Sequence, residues 1–182
     1  VGSSRRKLLL DALLAPTALH AALHFPGGRP DIIHAYLHEG ALLGTLLARL
    51  LAAPLVFDFQ GSLTAEMLDH RFLRPRSPAL PALRRLEGWI DRQPRAIFAS
   101  SQHAAGLLAG AGVPISRIHT LPDSVDPAAF RPAAELPGPA RQRLRQRLGL
   151  PAGRPLLVYL GLLASYQGTD LLLQAMQRLI RR

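Results

Sequence analysis

The chain has no cysteine. That excludes a disulfide framework and any thiolate metal site. Aromatic residues make up only 5% of it, and 12 acidic residues face 22 basic ones, leaving a net charge of +10. A nucleic-acid surface clusters its cations and interleaves them with stacking rings. Here the arginines are scattered and rings are scarce, so no nucleic-acid partner is expected. The basic residues read as solvated charge, against the alternative of a basic surface that meets nucleic acid, anionic lipid or a phosphorylated substrate. A long unbroken apolar run is also missing. The segment 41–57 comes closest, but Arg49 sits at its centre and Pro54 near its end, which argues against a membrane span. The opening VGSSRRKLLLDALLAP is interrupted by Asp11 and lacks a small-residue cleavage site, so it does not read as a signal peptide. Its first residue is Val, which suggests a piece of a longer chain.

What is present is a folding sequence: 182 residues, 48% hydrophobic, with a mean hydropathy of +0.13. Its centre is the stretch from Pro30 to Ser62. Asp31 to Leu37 is a short apolar run with β-branched residues, Gly40 to Ala53 is apolar at nearly every position, and Leu55 to Phe59 is a second short run after Pro54. Strand, helix and strand of this kind predict a parallel sheet covered on both faces. Ligands of such sheets bind beyond the carboxyl ends of the strands. Both strands turn polar there, at His38-Glu39-Gly40 and at Gln60-Gly61-Ser62.

The remaining chain alternates in the same way. Ser3 and Ser4 precede a helix over Arg5–Leu23 that Pro16 should kink, and a turn cluster follows at 25–30. Ser62 to Glu66 is a capping-box-like start, so a short helix is expected from there to His70. A helix is expected over 82–92, strands over 95–100 and 117–121, and between the strands a helix capped by Ser101. Residues 130–139 are rich in Pro and Ala and read as a linker, followed by a basic helix over 141–148. A fifth strand over 155–161 and a last helix from Thr169 complete an α/β doubly wound pattern.

Several residues bear on chemistry. His34, Tyr36 and His38 share a face if the strand stays extended. His34 reads as a core or hydrogen-bonding histidine, and His38 and Glu39 at the tip suit proton transfer or hydroxyl binding. No metal-ligand set is assigned, because a third ligand would have to come from another element. Glu87 and Asp91 sit at i,i+4 among Arg84, Arg85 and Arg92 and read as a solvated helix face. The loop Gly161 to Thr169 joins a strand to a helix start, where backbone N–H groups can hold a phosphate, though any βα turn offers as much.

The order of landmarks resembles glycosyltransferase family 4 (glycosyl transferases group 1, GT-B fold), as a partial chain. Pro30 to Ala35 resembles the family's "PDVVHAH" strand, and Pro54 to Gly61 its "PVVxTxHG" strand. Leu86-Glu87 with Ala96 to Ser101 resembles the "E…ad.ii..S" segment, and Ile118 to Asp126 with Phe130 and Pro132 the "v.pNGVD…F.P" segment. Leu157 to Leu172 resembles "yvGrl...KGvdlLl".

The resemblance implies an α/β fold with Rossmann-like parallel sheets. An incomplete acceptor-side domain would span 1–132, a linker and basic helix 133–153, and the start of a nucleotide-sugar domain 154–182. It implies a hexosyltransferase that uses a nucleoside-diphosphate sugar donor and a sugar or lipid-linked acceptor, with retention and no cofactor. A cytoplasmic location follows, with peripheral contact at the inner face of the plasma membrane left open. Catalytic roles fall on His38, Glu39 and Gln60, substrate binding on Gly61, Ser101 and Asp126, and donor phosphate binding on Gly161, Gln167 and Gly168. The departures are specific. Gln60 stands where the family's second strand has His, and Tyr36 stands at the second His of its HxH. Asp123-Ser124-Val125-Asp126 replaces "NGVD". Leu162 and Gln167 replace the Arg and Lys that hold the donor diphosphate in the family. Each lost charge-assisted contact is typically about 1.5–3 kcal/mol.

Overall fold

A computed structural model of the chain describes residues 5–135, 137–151, 155–163 and 167–181, with side chains from residue 13 onward and not at 133. It divides into two compact units, 1–123 and 124–182.

The first unit opens with helix α1 (Arg5–Leu23), which carries Pro16 without being divided. Then come β1 (Ile33–Tyr36), α2 (Leu37–Leu51), β2 (Leu55–Phe59), α3 (Leu63–Asp69) and α4 (Leu80–Asp91). The unit ends with β3 (Ala96–Ala99), α5 (Gln102–Gly110) and β4 (Ile118–Thr120). The four strands are all parallel and lie in chain order, β1-β2-β3-β4. Ala35 pairs with Phe57, Phe57 with Ile97, and Ile97 with Ile118, so one apolar row runs across the sheet. Ala35, Leu55, Phe57, Phe59, Ile97 and Ala99 on this face are buried together with Ile90 of α4 and Leu108 of α5. Helix α2 packs on β1 and β2, α5 on β3 and β4, and α4 on α2.

The opposite face corrects the expectation of a sheet covered on both sides. His34, Tyr36 and His119 are exposed there, and Asp58, Ala96 and Phe98 are half-buried. His34 is therefore not a core histidine. It meets Phe98 edge-on at 6.5 Å between ring centroids, and Phe98 in turn meets His119 at 6.2 Å. The reason is topological. Parallel crossovers are right-handed almost without exception, so strands laid down in one direction send every crossover helix to the same side.

Between β1 and α2 the backbone turns at Leu37, whose φ of +61° is unusual for a bulky residue. Helix α2 ends with Ala52 in the left-handed conformation, its N–H bonded to Ala48 O. Ser62 and Ser101 cap α3 and α5 as expected, accepting from Ala65 N at 3.2 Å and Ala104 N at 3.1 Å.

The second unit contains α6 (Gly138–Arg147) and α7 (Thr169–Ile180). The expected strand over 155–161 is a correction, since the described residues there form no strand. Leu156, Leu157, Val158 and Leu160 are 50–89% exposed. A strand gains its stability from ladder bonds and from a covered face, and this segment has neither.

Gly44 marks a close approach of α2 to the sheet. A Cβ built there would lie 2.7 Å from Leu55 Cδ1, 3.4 Å from Ala35 Cβ and 3.5 Å from Ile33 Cγ2. Overpacking a core costs typically about 1–3 kcal/mol. Gly44→Val is expected to lower the unfolding free energy of the first unit by that amount in urea denaturation, and an unchanged midpoint would contradict the close approach.

Candidate functional site

The carboxyl ends of β1 and β2 lie side by side, with Tyr36 opposite Asp58. His38 does not stand at an open tip in line with His34 and Tyr36. The strand has already ended at Tyr36, and the left-handed turn at Leu37 carries His38 into the first turn of α2, on the covered face. Its ring lies edge-on to Phe57 and Phe59, with centroids 5.2 and 5.6 Å away, and the residue is 4% exposed.

The partners of His38 come from α4. Its Nε2 donates to Asp91 Oδ1 at 3.1 Å, and Glu87 Oε1 lies 3.9 Å from the same nitrogen. Glu87 Oε2 accepts from Thr64 Oγ1 at 2.6 Å and from Thr64 N at 3.2 Å. Thr64, His38, Glu87 and Asp91 are all buried. The solvated-face reading of Glu87 and Asp91 is thus overturned. Both carboxylates lie on the same helical stripe as Leu80, Leu83 and Ile90, which is the face α4 turns inward. That stripe was the available signal. The neighbouring arginines concealed it, because Arg84, Arg85 and Arg92 reach solvent from the flanks.

Around this cluster stand the other residues of the mouth. Glu39 is half-buried in the first turn of α2. Gln60 is exposed, and its Nε2 donates to Asp58 Oδ1 at 2.6 Å. Gly61 follows it and leads directly into the Ser62 cap. Ser101 lies at the carboxyl end of β3, where its hydroxyl is occupied as the α5 cap.

Asp126, Gly161, Gln167 and Gly168 belong to the second unit. Asp126 is exposed and closes its own turn, with Oδ1 accepting from Ala128 N at 2.9 Å. Gly168 adopts φ +70° as the N-cap of α7, and Leu172 N donates to its carbonyl at 3.1 Å. Tyr159 Oη donates to Leu162 O at 2.9 Å. The middle of the proposed phosphate loop, 164–166, lies outside the described residues.

A family model described as a glycosyl transferase 4-like domain matches residues 1–123, the whole first unit. The chain belongs to this glycosyltransferase family. A D-inositol 3-phosphate glycosyltransferase from Xylanimonas cellulosilytica is 31% identical over 163 residues, covering 88% of this chain and 38% of the relative. One from Arthrobacter is 30% identical over 154 residues, covering 82% of this chain and 34% of the relative. The chain thus spans little more than a third of the length of these relatives. In fold it is similar to sucrose-phosphate synthase from Thermosynechococcus elongatus, with a TM-score of 0.71 at 17% identity over 98% of this chain and 41% of that one. It is also similar to Anabaena HepE in complex with UDP-glucose, with a TM-score of 0.54 at 18% identity over 77% of this chain and 34% of that one. The fold is that of part of a GT-B glycosyltransferase. No described helix is long and apolar enough to cross a membrane.

The Thr64–Glu87 contact ties the start of α3 to α4 and places a carboxylate against a helix N-terminus. Removing a partner of a buried hydrogen bond costs about 1–3 kcal/mol. Thr64→Val is expected to lower stability by that amount in chemical denaturation, and Thr64→Ser to retain most of it. A loss from Thr64→Ser with none from Thr64→Val would show that the methyl group, not the hydroxyl, matters.

Proposed function

We propose that this chain is part of a retaining hexosyltransferase that moves a sugar from a nucleoside-diphosphate donor to an acceptor hydroxyl. The family match over residues 1–123 is the observation that carries this reading. The D-inositol 3-phosphate glycosyltransferases and the UDP-glucose complex of HepE support the donor class by analogy. Residues 1–132 serve the acceptor side and 154–182 begin the nucleotide-sugar side, with 133–153 between them. The protein works in the cytoplasm on a sugar or lipid-linked acceptor, and it acts as a piece of a longer polypeptide.

The roles follow from chemistry at the mouth of the sheet. Gln60 and Gly61 are placed to meet acceptor hydroxyls, with Glu39 beside them. His38 is a positioning residue, because its Nε2 is committed to Asp91 and it is buried. Its task is to hold the β1–α2 turn in register with Gln60. In a retaining transfer the donor phosphates help deprotonate the acceptor hydroxyl. Protein groups then supply orientation and charge stabilisation. Gly161, Gln167 and Gly168 present backbone N–H groups and one amide to the diphosphate, without the two cations of the family pattern. The absence of those cations favours one second reading, a non-catalytic binding module built on the same fold.

The test is to express residues 1–182 and the full reading frame side by side and follow nucleoside diphosphate release with a panel of sugar donors. Acceptor-dependent turnover is expected from the full frame and not from the segment. Turnover by the segment alone would defeat the partial-chain reading. A full-length protein that binds no nucleotide sugar would establish the non-catalytic module. Leu162→Arg combined with Gln167→Lys is expected to tighten donor binding at least tenfold if the loop holds phosphate.

A further inference from the structure

We propose that His38, Glu87 and Asp91 form a binding site for one divalent first-row metal ion, held by imidazole nitrogen and carboxylate oxygen. One ligand atom from each of the three lies within 4.8 Å of the others, and all three residues are buried. Nothing in this site depends on sugar transfer.

Charge favours a cation here. Two carboxylates one helical turn apart are buried against a single imidazole. Even a protonated His38 leaves one negative charge over, and a neutral one leaves two. No Lys or Arg among the described residues makes an ion pair with Glu87 or Asp91. Buried charges are paired or coordinate metals. A divalent cation cancels both carboxylates at once.

An unused lone pair favours one as well. Glu87 Oε2 is satisfied twice by Thr64, but among the described residues Oε1 accepts no hydrogen bond. The Glu87 side chain is only 10% exposed, and Oε1 points toward His38 Nε2, 3.9 Å away. An acceptor oriented into a buried polar cluster without a donor is suited to a cation.

The geometry is close to what a metal requires. Zinc bonds of about 2.0–2.2 Å in tetrahedral array hold their donor atoms roughly 3.3–3.6 Å apart. The separations of 3.1 Å to Asp91 and 3.9 Å to Glu87 bracket that spacing, and the edge between the two carboxylates lies within 4.8 Å, so the carboxylates must draw together to complete the set. His38 Nε2 gives up its proton when it ligates. Thr64 already does what a group behind a metal ligand does, fixing the orientation of the Glu87 carboxylate. Phe57 and Phe59 wall the ring from water. Nitrogen with carboxylate oxygen, and no thiolate, suits Zn²⁺, Co²⁺ or Mn²⁺. The bound ion would clamp the first turn of α2 to α4 beside the carboxyl ends of β1 and β2.

The test uses the full chain, stripped with EDTA and titrated with Co²⁺ and Zn²⁺ by calorimetry and visible absorption. One equivalent is expected, with a Co²⁺ absorption band and a rise in melting temperature. His38→Ala, Glu87→Gln and Asp91→Asn are each expected to weaken binding at least tenfold. Glu87→Gln is isosteric, so circular dichroism can confirm its fold even if another variant fails to fold. The exposed pair His20 and His24, with rings 4.2 Å apart, is the adventitious alternative. The double variant His20→Ala, His24→Ala is expected to keep full binding. Loss of the stoichiometric ion in that double variant, its retention in folded Glu87→Gln, or no binding by the unaltered chain would each overturn the proposal.

Discussion

Glu87 reaches from α4 to the start of α3 and accepts two hydrogen bonds from Thr64, one from backbone and one from hydroxyl. Its other oxygen faces His38, which the Asp91 carboxylate holds from the next turn of α4. Three segments that are distant in sequence are joined through this one buried group. In a low-dielectric interior such a network is stronger than in water, and it is costly to leave incomplete. The turn at Leu37 depends on it as well. A bulky residue with positive φ persists only where its surroundings over-determine it, and the two residues flanking the β1–α2 turn are a ladder-paired Tyr36 and the anchored His38.

The sheet sets the second constraint. Four parallel strands in chain order bury one face under α2, α4 and α5 and leave the other to His34, Tyr36, Phe98 and His119. The chemistry of the mouth is therefore asymmetric. On the covered side the polar groups are locked among aromatic rings. Around the ends of the strands Gln60 and Ser101 stay accessible. Fixed residues of this kind preserve geometry, while exposed ones are free to meet a ligand.

Much of the fold was legible in the sequence for local reasons. Short β-branched runs bounded by proline and glycine became β1 to β4, and Ser62 and Ser101 became caps because a hydroxyl before an apolar run has an open N–H to accept from. A local pattern misleads where it needs a partner that the pattern cannot name. The run 155–161 has strand composition, but no described strand lies beside it. His38 was placed by a period of two, and that period stops where the backbone turns at Leu37. Glu87 and Asp91 were read by their charge and by their arginine neighbours, although the Leu80, Leu83, Ile90 stripe put them inside.

The sequence by itself determined the element order of the first unit, the caps, the α/β class and the family resemblance, because each rests on neighbours within a few residues or on spacing along the chain. Only the tertiary structure decided which face of the sheet is covered. That choice follows from strand order and crossover hand, which no single segment encodes. It also decided that two carboxylates on α4 meet one imidazole on α2. A charge is buried or solvated according to what packs over it, and for Glu87 and Asp91 what packs there comes from residues 23 or more positions away.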